Sequence, residues 1–176
     1  MNEVLKAIKE RRSIRKYKPE LPARDIVEKI IDAGLRAPSG RKAQPAIIID
    51  VKNKELRDKL SEMNRKIGGW DEGFDPFYGA PEVLIVLVDK SKPTAIYDGS
   101  LTLGNMLLAA HSLGLGACWI HRAKQEFESD EGKKILADLG IKGDYEGIGH
   151  CILGYMDGEL PEPYDIKASE RTFVVE

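Results

Sequence analysis

The chain predicts a layered α/β domain, on three observations. Amphipathic segments with apolar residues at helical spacing alternate with short continuous apolar runs of strand length. No repeat, low-complexity tract or linker divides the 176 residues, so residues 1–176 form a single domain. The composition, 42% hydrophobic and 32% charged, is that of an ordinary water-soluble protein large enough to bury a substantial core.

Val4, Leu5 and Ile8 lie at helical spacing behind Asn2, a side chain suited to cap a helix start. Pro19 and Pro22 punctuate a turn before a second helix over residues 23–35, whose buried stripe is Ile26, Val27, Ile30 and Ile31. A loop bracketed by Pro38 and Pro45 leads into a buried strand, Ala46–Val51, and then a helix over residues 54–67 with Leu56, Leu60 and Met63 inward. Residues 68–81 gather glycines and prolines around Trp70, Phe74, Phe77 and Tyr78. A loop of that make-up is either a binding lid or a packed surface loop.

Residues 83–88 form the strongest strand signal. Residues 97–113 form the most apolar helix, apolar on more than one face, as expected of a central helix or one at a subunit interface. Residues 117–120 and 148–153 read as further strands around a helix over residues 131–139. After a turn at Asp157-Gly158, Pro161 and Pro163 begin an extended tail, and residues 172–175 read as a terminal strand.

A net charge of −2 and a pI near 6.0 argue against nucleic acid or an anionic membrane as the main partner. The apolar runs are too short to span a bilayer, and residues 1–12 are charged and amphipathic, unlike a signal peptide. Cys118 and Cys151 sit in apolar runs without metal-ligand spacing, which reads as buried free thiols in a cytoplasmic protein. His111, His121 and His150 are not spaced as a metal set, so no metal is expected. Gly114-Leu115-Gly116 lacks a third glycine and the strand-to-helix order of a dinucleotide fingerprint. Gly149-His150-Cys151 is no nucleophile elbow.

Against this near-neutral background, six of the ten residues from Lys9 to Lys18 are basic. Arg presents a rigid fork of donors that grips phosphate oxygens in pairs, and Ser13 adds a short hydroxyl. Charge alone favours a solvated helix end, whose cations complement the helix dipole. The other segments tip the balance toward a single bound anion.

Arg11-Arg12-Ser13-Ile14-Arg15, Pro38-Ser39-Gly40 with Gln44-Pro45, the run Gly114 to Arg122, and a tail carrying Lys167 and Arg171 together resemble the nitroreductase family of FMN-dependent oxidoreductases. The resemblance runs nearly the whole chain in order and spacing. It implies an α+β fold in place of α/β layers: a central mixed, largely antiparallel sheet flanked by helices, in a homodimer whose C-terminal tails are exchanged. It also implies two FMN sites at the subunit interface.

By that resemblance, Arg11, Arg12 and Ser13 hold the FMN phosphate and ribityl end, Arg171 closes over the phosphate, and Lys167 belongs to the same basic motif. Arg15 approaches the pyrimidine edge, where a cation favours reduced flavin. Pro38, Ser39 and Gly40, with Lys42 at the ring edge, come from the second subunit. Ile120, His121 and Arg122 pass the ring on the other side and offer backbone N–H groups to N5. Lys42 and Ala46 stand where the family commonly has asparagine and tryptophan, and His121 replaces a frequent acid. The wall of the pocket therefore differs from the family pattern.

The implied activity is transfer of a hydride from NADH or NADPH through flavin N5 to an aromatic acceptor, a nitro compound or quinone, by a ping-pong cycle. No catalytic side chain is required, since the flavin carries the chemistry. The alternatives are a specialised flavin-dependent dehydrogenase or flavin-modifying enzyme, and a non-catalytic flavin-binding protein.

Overall fold

A computed structural model describes residues 1–164 and 166–175. Among the described residues, six α-helices and four strands follow in the order α1 (Glu3–Glu10), α2 (Arg24–Leu35), β1 (Ala46–Val51), α3 (Lys54–Gly68), β2 (Glu82–Asp89), α4 (Ala95–Ser112), β3 (Gly116–Ile120), α5 (Ala123–Glu128), α6 (Asp130–Asp138) and β4 (Tyr145–Gly154). Three helix starts are capped by short polar side chains. Asn2 accepts from the Leu5 N–H at 2.9 Å, Asn53 from Leu56 at 2.8 Å and Ser129 from Gly132 at 3.1 Å.

The strands form one sheet in the order β1-β2-β4-β3, and every neighbouring pair is antiparallel. One parallel bridge, Ser13 to Ala117, extends the β3 edge. The fold is therefore α+β, and the α/β layering read from pattern alone is corrected. The misreading has a physical cause. Val83, Ile85 and Leu87 face a layer holding Leu60, Met63, Phe77 and Phe127, while Leu84, Val86 and Val88 face Ile30, Leu103 and Met106 from α2 and α4. A strand covered on both faces has the continuous apolar run usual in parallel sheets, whatever its direction.

Cys118 and Cys151 are free and buried, in the two different layers. Residues 172–175, expected as a strand, form none within the chain and lie exposed. The short helix α5 went unrecognised because six residues carry too little periodicity.

The aromatic loop after α3 is anchored rather than free. Asp75 accepts from the N–H groups of Phe77 at 2.9 Å and Gly79 at 2.7 Å and from the Arg57 guanidinium and Ser61 hydroxyl. Burial opposes ionisation of Asp75, but those donors outweigh it and hold its carboxyl below the usual range.

Candidate functional site

The basic segment is stitched onto the end of the sheet. Ile14 N–H donates to Ala117 O at 3.0 Å, Lys18 N–H to Tyr155 O at 2.9 Å, and Asp157 N–H to Lys16 O at 3.0 Å. Ile14 is buried, and a Cβ on Gly116 would stand 2.9 Å from its Cγ2, so glycine at that position allows the approach. These bonds fix where the arginines leave the backbone.

The four predicted residues of this segment have different surroundings. Arg12 is buried and engaged: its Nη1 donates to the carbonyls of Lys9 and Arg11, each at 2.8 Å, and its Nε to the Glu162 carbonyl at 3.2 Å. It caps the end of α1 and pins the tail. Arg11 Nη1 is buried with no hydrogen-bond partner among the described residues. Ser13 is half-buried at the β3 edge. Arg15 is exposed, its guanidinium 5.8 Å from the Tyr78 ring centroid.

The loop carrying Pro38, Ser39 and Gly40 is held by α4. Gly40 N–H donates to Asp98 Oδ1 at 3.0 Å, and Thr94 Oγ1 donates to Asp98 Oδ2 at 2.8 Å. Any Cβ on Gly40 would overlap the Thr94 side chain. Arg41, Lys42 and Gln44 all have left-handed backbone, with φ of 54°, 58° and 44°, and stored strain of this kind is concentrated at functional sites. A cavity of about 360 Å³ lies beside the loop, lined by Pro38, Ser39, Gln44, Asp98 and Thr102 among others. Lys42 points from an exposed position on the same turn.

The third segment lies at the end of β3, one of the two edge strands. Two carbonyls there are drawn inward by a buried polar network. His150 Nδ1 is 3.3 Å from Ile120 O, and Asn64 Nδ2 donates to His121 O at 2.8 Å. Asn64 also donates to Glu126 Oε1, and Glu126 Oε2 is 2.9 Å from His150 Nε2. Asn64, Glu126 and His150 are all fully buried. The peptides are trans, so a carbonyl drawn inward sends the next N–H the opposite way. The N–H groups of His121 and Arg122 therefore face out of the network.

Arg122 has φ 82°, and its guanidinium lies 4.4 Å from the Trp70 ring centroid. Trp70 meets Phe74 at 5.1 Å, and Phe74 meets Tyr78 at 5.9 Å, so an aromatic ladder joins Arg122 to Arg15. Lys167 and Arg171 stand exposed on the tail, where Lys167 pairs with Glu170 at 3.6 Å.

One protomer does not bring all the predicted residues together. The Ser39–Gly40 loop enters β1 and the 120–122 segment leaves β3, the two opposite edges of the sheet. Three inter-strand spacings, about 14 Å, separate them. Sequence reading missed the residues that position these loops. Asp98, Asn64, Glu126 and His150 carry no motif. Their one signal is a polar side chain inside an otherwise apolar element, as for His150 in β4 and Asp98 in α4.

Comparison with known proteins decides the family. The profile of the Nitroreductase family matches residues 8–68 and 69–155. The chain belongs to the nitroreductase family. A protein of Archaeoglobus fulgidus whose name joins NADH dehydrogenase and NAD(P)H nitroreductase is 32% identical over 165 residues, covering 90% of this chain and 88% of the relative. The FMN reductase [NAD(P)H] of Bacillus subtilis is 31% identical over 138 residues, 66% of this chain and 53% of that one. A similarly named Methanothermobacter thermautotrophicus relative, 38% identical over 126 residues (66% of this chain), is covered over 60% of its length. This nitroreductase-family chain thus spans little more than half of two of its curated relatives.

Solved structures agree with the fold. A Bacteroides fragilis nitroreductase with bound FMN superposes with a TM-score of 0.87 at 30% identity, covering 99% of this chain and 100% of that one. One from Desulfitobacterium hafniense, also with bound FMN, gives 0.88 at 28% identity with complete coverage of both.

Proposed function

We propose that this nitroreductase-family chain is an FMN-dependent NAD(P)H oxidoreductase that works as a cytoplasmic homodimer. The observation that carries the reading is the buried, partnerless Arg11 Nη1. A buried guanidinium nitrogen without an acceptor costs free energy, and a phosphate supplies the acceptor. The residues present therefore fit FMN. Arg11 and Ser13 hold its phosphate end, Arg12 organises the surrounding backbone, and Arg171 and Lys167 close from the tail. The outward N–H groups of His121 and Arg122 would be the donors offered to the ring, and Arg15 would support its pyrimidine edge.

The homodimer reading rests on the separation of the loops across the sheet, which a second copy removes by bringing its Pro38–Gly40 and Lys42 to the 120–122 segment. Exposed apolar surface supports it. Val4, Leu5 and Ile8 of α1 are each more than half exposed, as are Tyr97 of α4 and Phe173 and Val174 of the tail, surface of the kind that marks an interface. The tail of one protomer then finds its strand partner in the other.

Bound FMN supplies hydride transfer between NAD(P)H and an aromatic acceptor such as a nitro compound or quinone. The chain's own groups bind, orient and exclude water; none serves as a nucleophile. Cytoplasmic location is supported by the free cysteines. No helix among the described residues is long and apolar enough to cross a membrane.

The deciding experiment reconstitutes the purified protein with FMN and follows NADH and NADPH oxidation with a quinone and a nitroarene. Turnover with either donor is the expected result. Failure with both, in protein that has taken up FMN, leaves a non-catalytic flavin-binding protein.

A further inference from the structure

We propose that the Arg122 side chain, seated on Trp70, selects planar acceptors that carry an anionic group. The inference rests on the oxidoreductase reading above and deepens it by naming a substrate class. Arg122 sits at φ 82°, a left-handed conformation disfavoured for any residue with a Cβ. Yet its side chain makes no ion pair among the described residues. Its recorded contact is the face of Trp70, 4.4 Å from the centroid.

That contact seats the guanidinium over the ring, and no acceptor among the described residues takes up its N–H groups. The half-buried Trp70 and the exposed Phe74 continue the surface as an aromatic wall. Because the two rings are tilted by 55°, a planar ligand meets the face of one and the edge of the other, with a charge-assisted donor pair at its rim. Arg15, at the far end of the ladder, adds to the positive potential and is likewise without an ion pair among the described residues. His121, at the tip of the segment, is exposed and carries no carboxylate, while the exposed Asp71 and Glu72 lie on the loop between Trp70 and Phe74. A carboxylate or sulfonate on the acceptor therefore finds the Arg122 guanidinium, whereas an uncharged acceptor of the same shape gains the aromatic contact alone.

The test compares 4-nitrobenzoate with the similarly sized, uncharged 4-nitrobenzyl alcohol on the FMN-loaded enzyme. It uses the parent, Arg122→Gly and Arg122→Lys. Glycine adopts the left-handed backbone without strain, so Arg122→Gly removes the side chain while favouring the loop conformation. In the parent, kcat/KM favours the carboxylate. In Arg122→Gly the ratio of the two kcat/KM values falls about tenfold, the scale of one charge-assisted contact, and the change lies in KM. Arg122→Lys, which keeps the charge and loses the planar fork, falls between.

Calorimetric titration of 4-nitrobenzoate, without turnover, weakens in the same order, and added salt reduces the parent's preference. A ratio that changes less than threefold in Arg122→Gly overturns the proposal. So does a change that appears instead in the preference for NADPH over NADH, which would assign Arg122 to the donor's phosphate. If the parent oxidises neither nicotinamide, the oxidoreductase reading fails, and the titration still decides whether Arg122 holds the carboxylate.

Discussion

His150 Nε2 lies 2.9 Å from Glu126 Oε2, and neither side chain reaches solvent. Through Asn64 the pair extends to the carbonyl of His121, tying three elements distant in sequence to one turn of the candidate site. The aim of the His121 and Arg122 amides depends on side chains that sit in the core.

Asn64→Ala removes the donor to both His121 O and Glu126 Oε1. Leaving buried acceptors unsatisfied costs roughly 1–3 kcal/mol, so the urea unfolding midpoint should fall accordingly. FMN affinity should fall with it, because the His121 carbonyl loses its inward anchor. Unchanged FMN affinity at reduced stability would show that the amides do not depend on Asn64.

Arg11 and Arg12 should separate function from folding. Arg11→Ala removes a partnerless group and is expected to weaken FMN retention by roughly 2–5 kcal/mol with little loss of apoprotein stability. Arg12→Ala abandons the carbonyls of Lys9, Arg11 and Glu162 and should lower apoprotein stability first. Fluorescence titration of FMN beside thermal unfolding reads both, and equal behaviour of the two variants would contradict the assignment.

A charge on the exposed face of α1 should abolish the dimer and the flavin site together. Leu5→Glu is expected to sediment as a monomer and to lose yellow colour on desalting, since each site draws loops from both edges of the sheet. A monomer that retains FMN fully would show that one protomer suffices.

Glu82, only 1% exposed, has its carboxyl pushed up to about 8, first by burial and then by the neighbouring Asp50, with Arg24 and Lys52 opposing. Both its oxygens lack hydrogen bonds among the described residues, although Arg24 Nη1 lies 3.5 Å from Oε1. The folded value lies above the unfolded one, so the folded state holds the extra proton between them. Stability should therefore fall as pH rises from about 5 to about 8, by at most ~1.4 kcal/mol per pH unit. Glu82→Gln should flatten that decline. Urea unfolding across the range checks it, and parallel slopes in parent and variant would remove Glu82 as the cause.

Local sequence determined much of the secondary structure. Ala46–Val51 is the strand its apolar run indicated, Asn2 is the cap its side chain permits, and Lys54–Gly68 keeps Leu60 and Met63 inward. The basic segment stood out by its arginines, but its reading as an anion site and that of the Ser39–Gly40 loop came from the resemblance to the family, since neither carries a local mark specific enough to decide. Tertiary structure alone decided three things. Strand direction was hidden because a strand covered on both faces shows the same apolar run in either sense. The different surroundings of Arg11 and Arg12, adjacent in sequence, arise from carbonyls as remote as Glu162. The Asn64–Glu126–His150 network spans α3, α5 and β4, and such a contact exists only once packing has excluded water and made each unpaired polar atom costly.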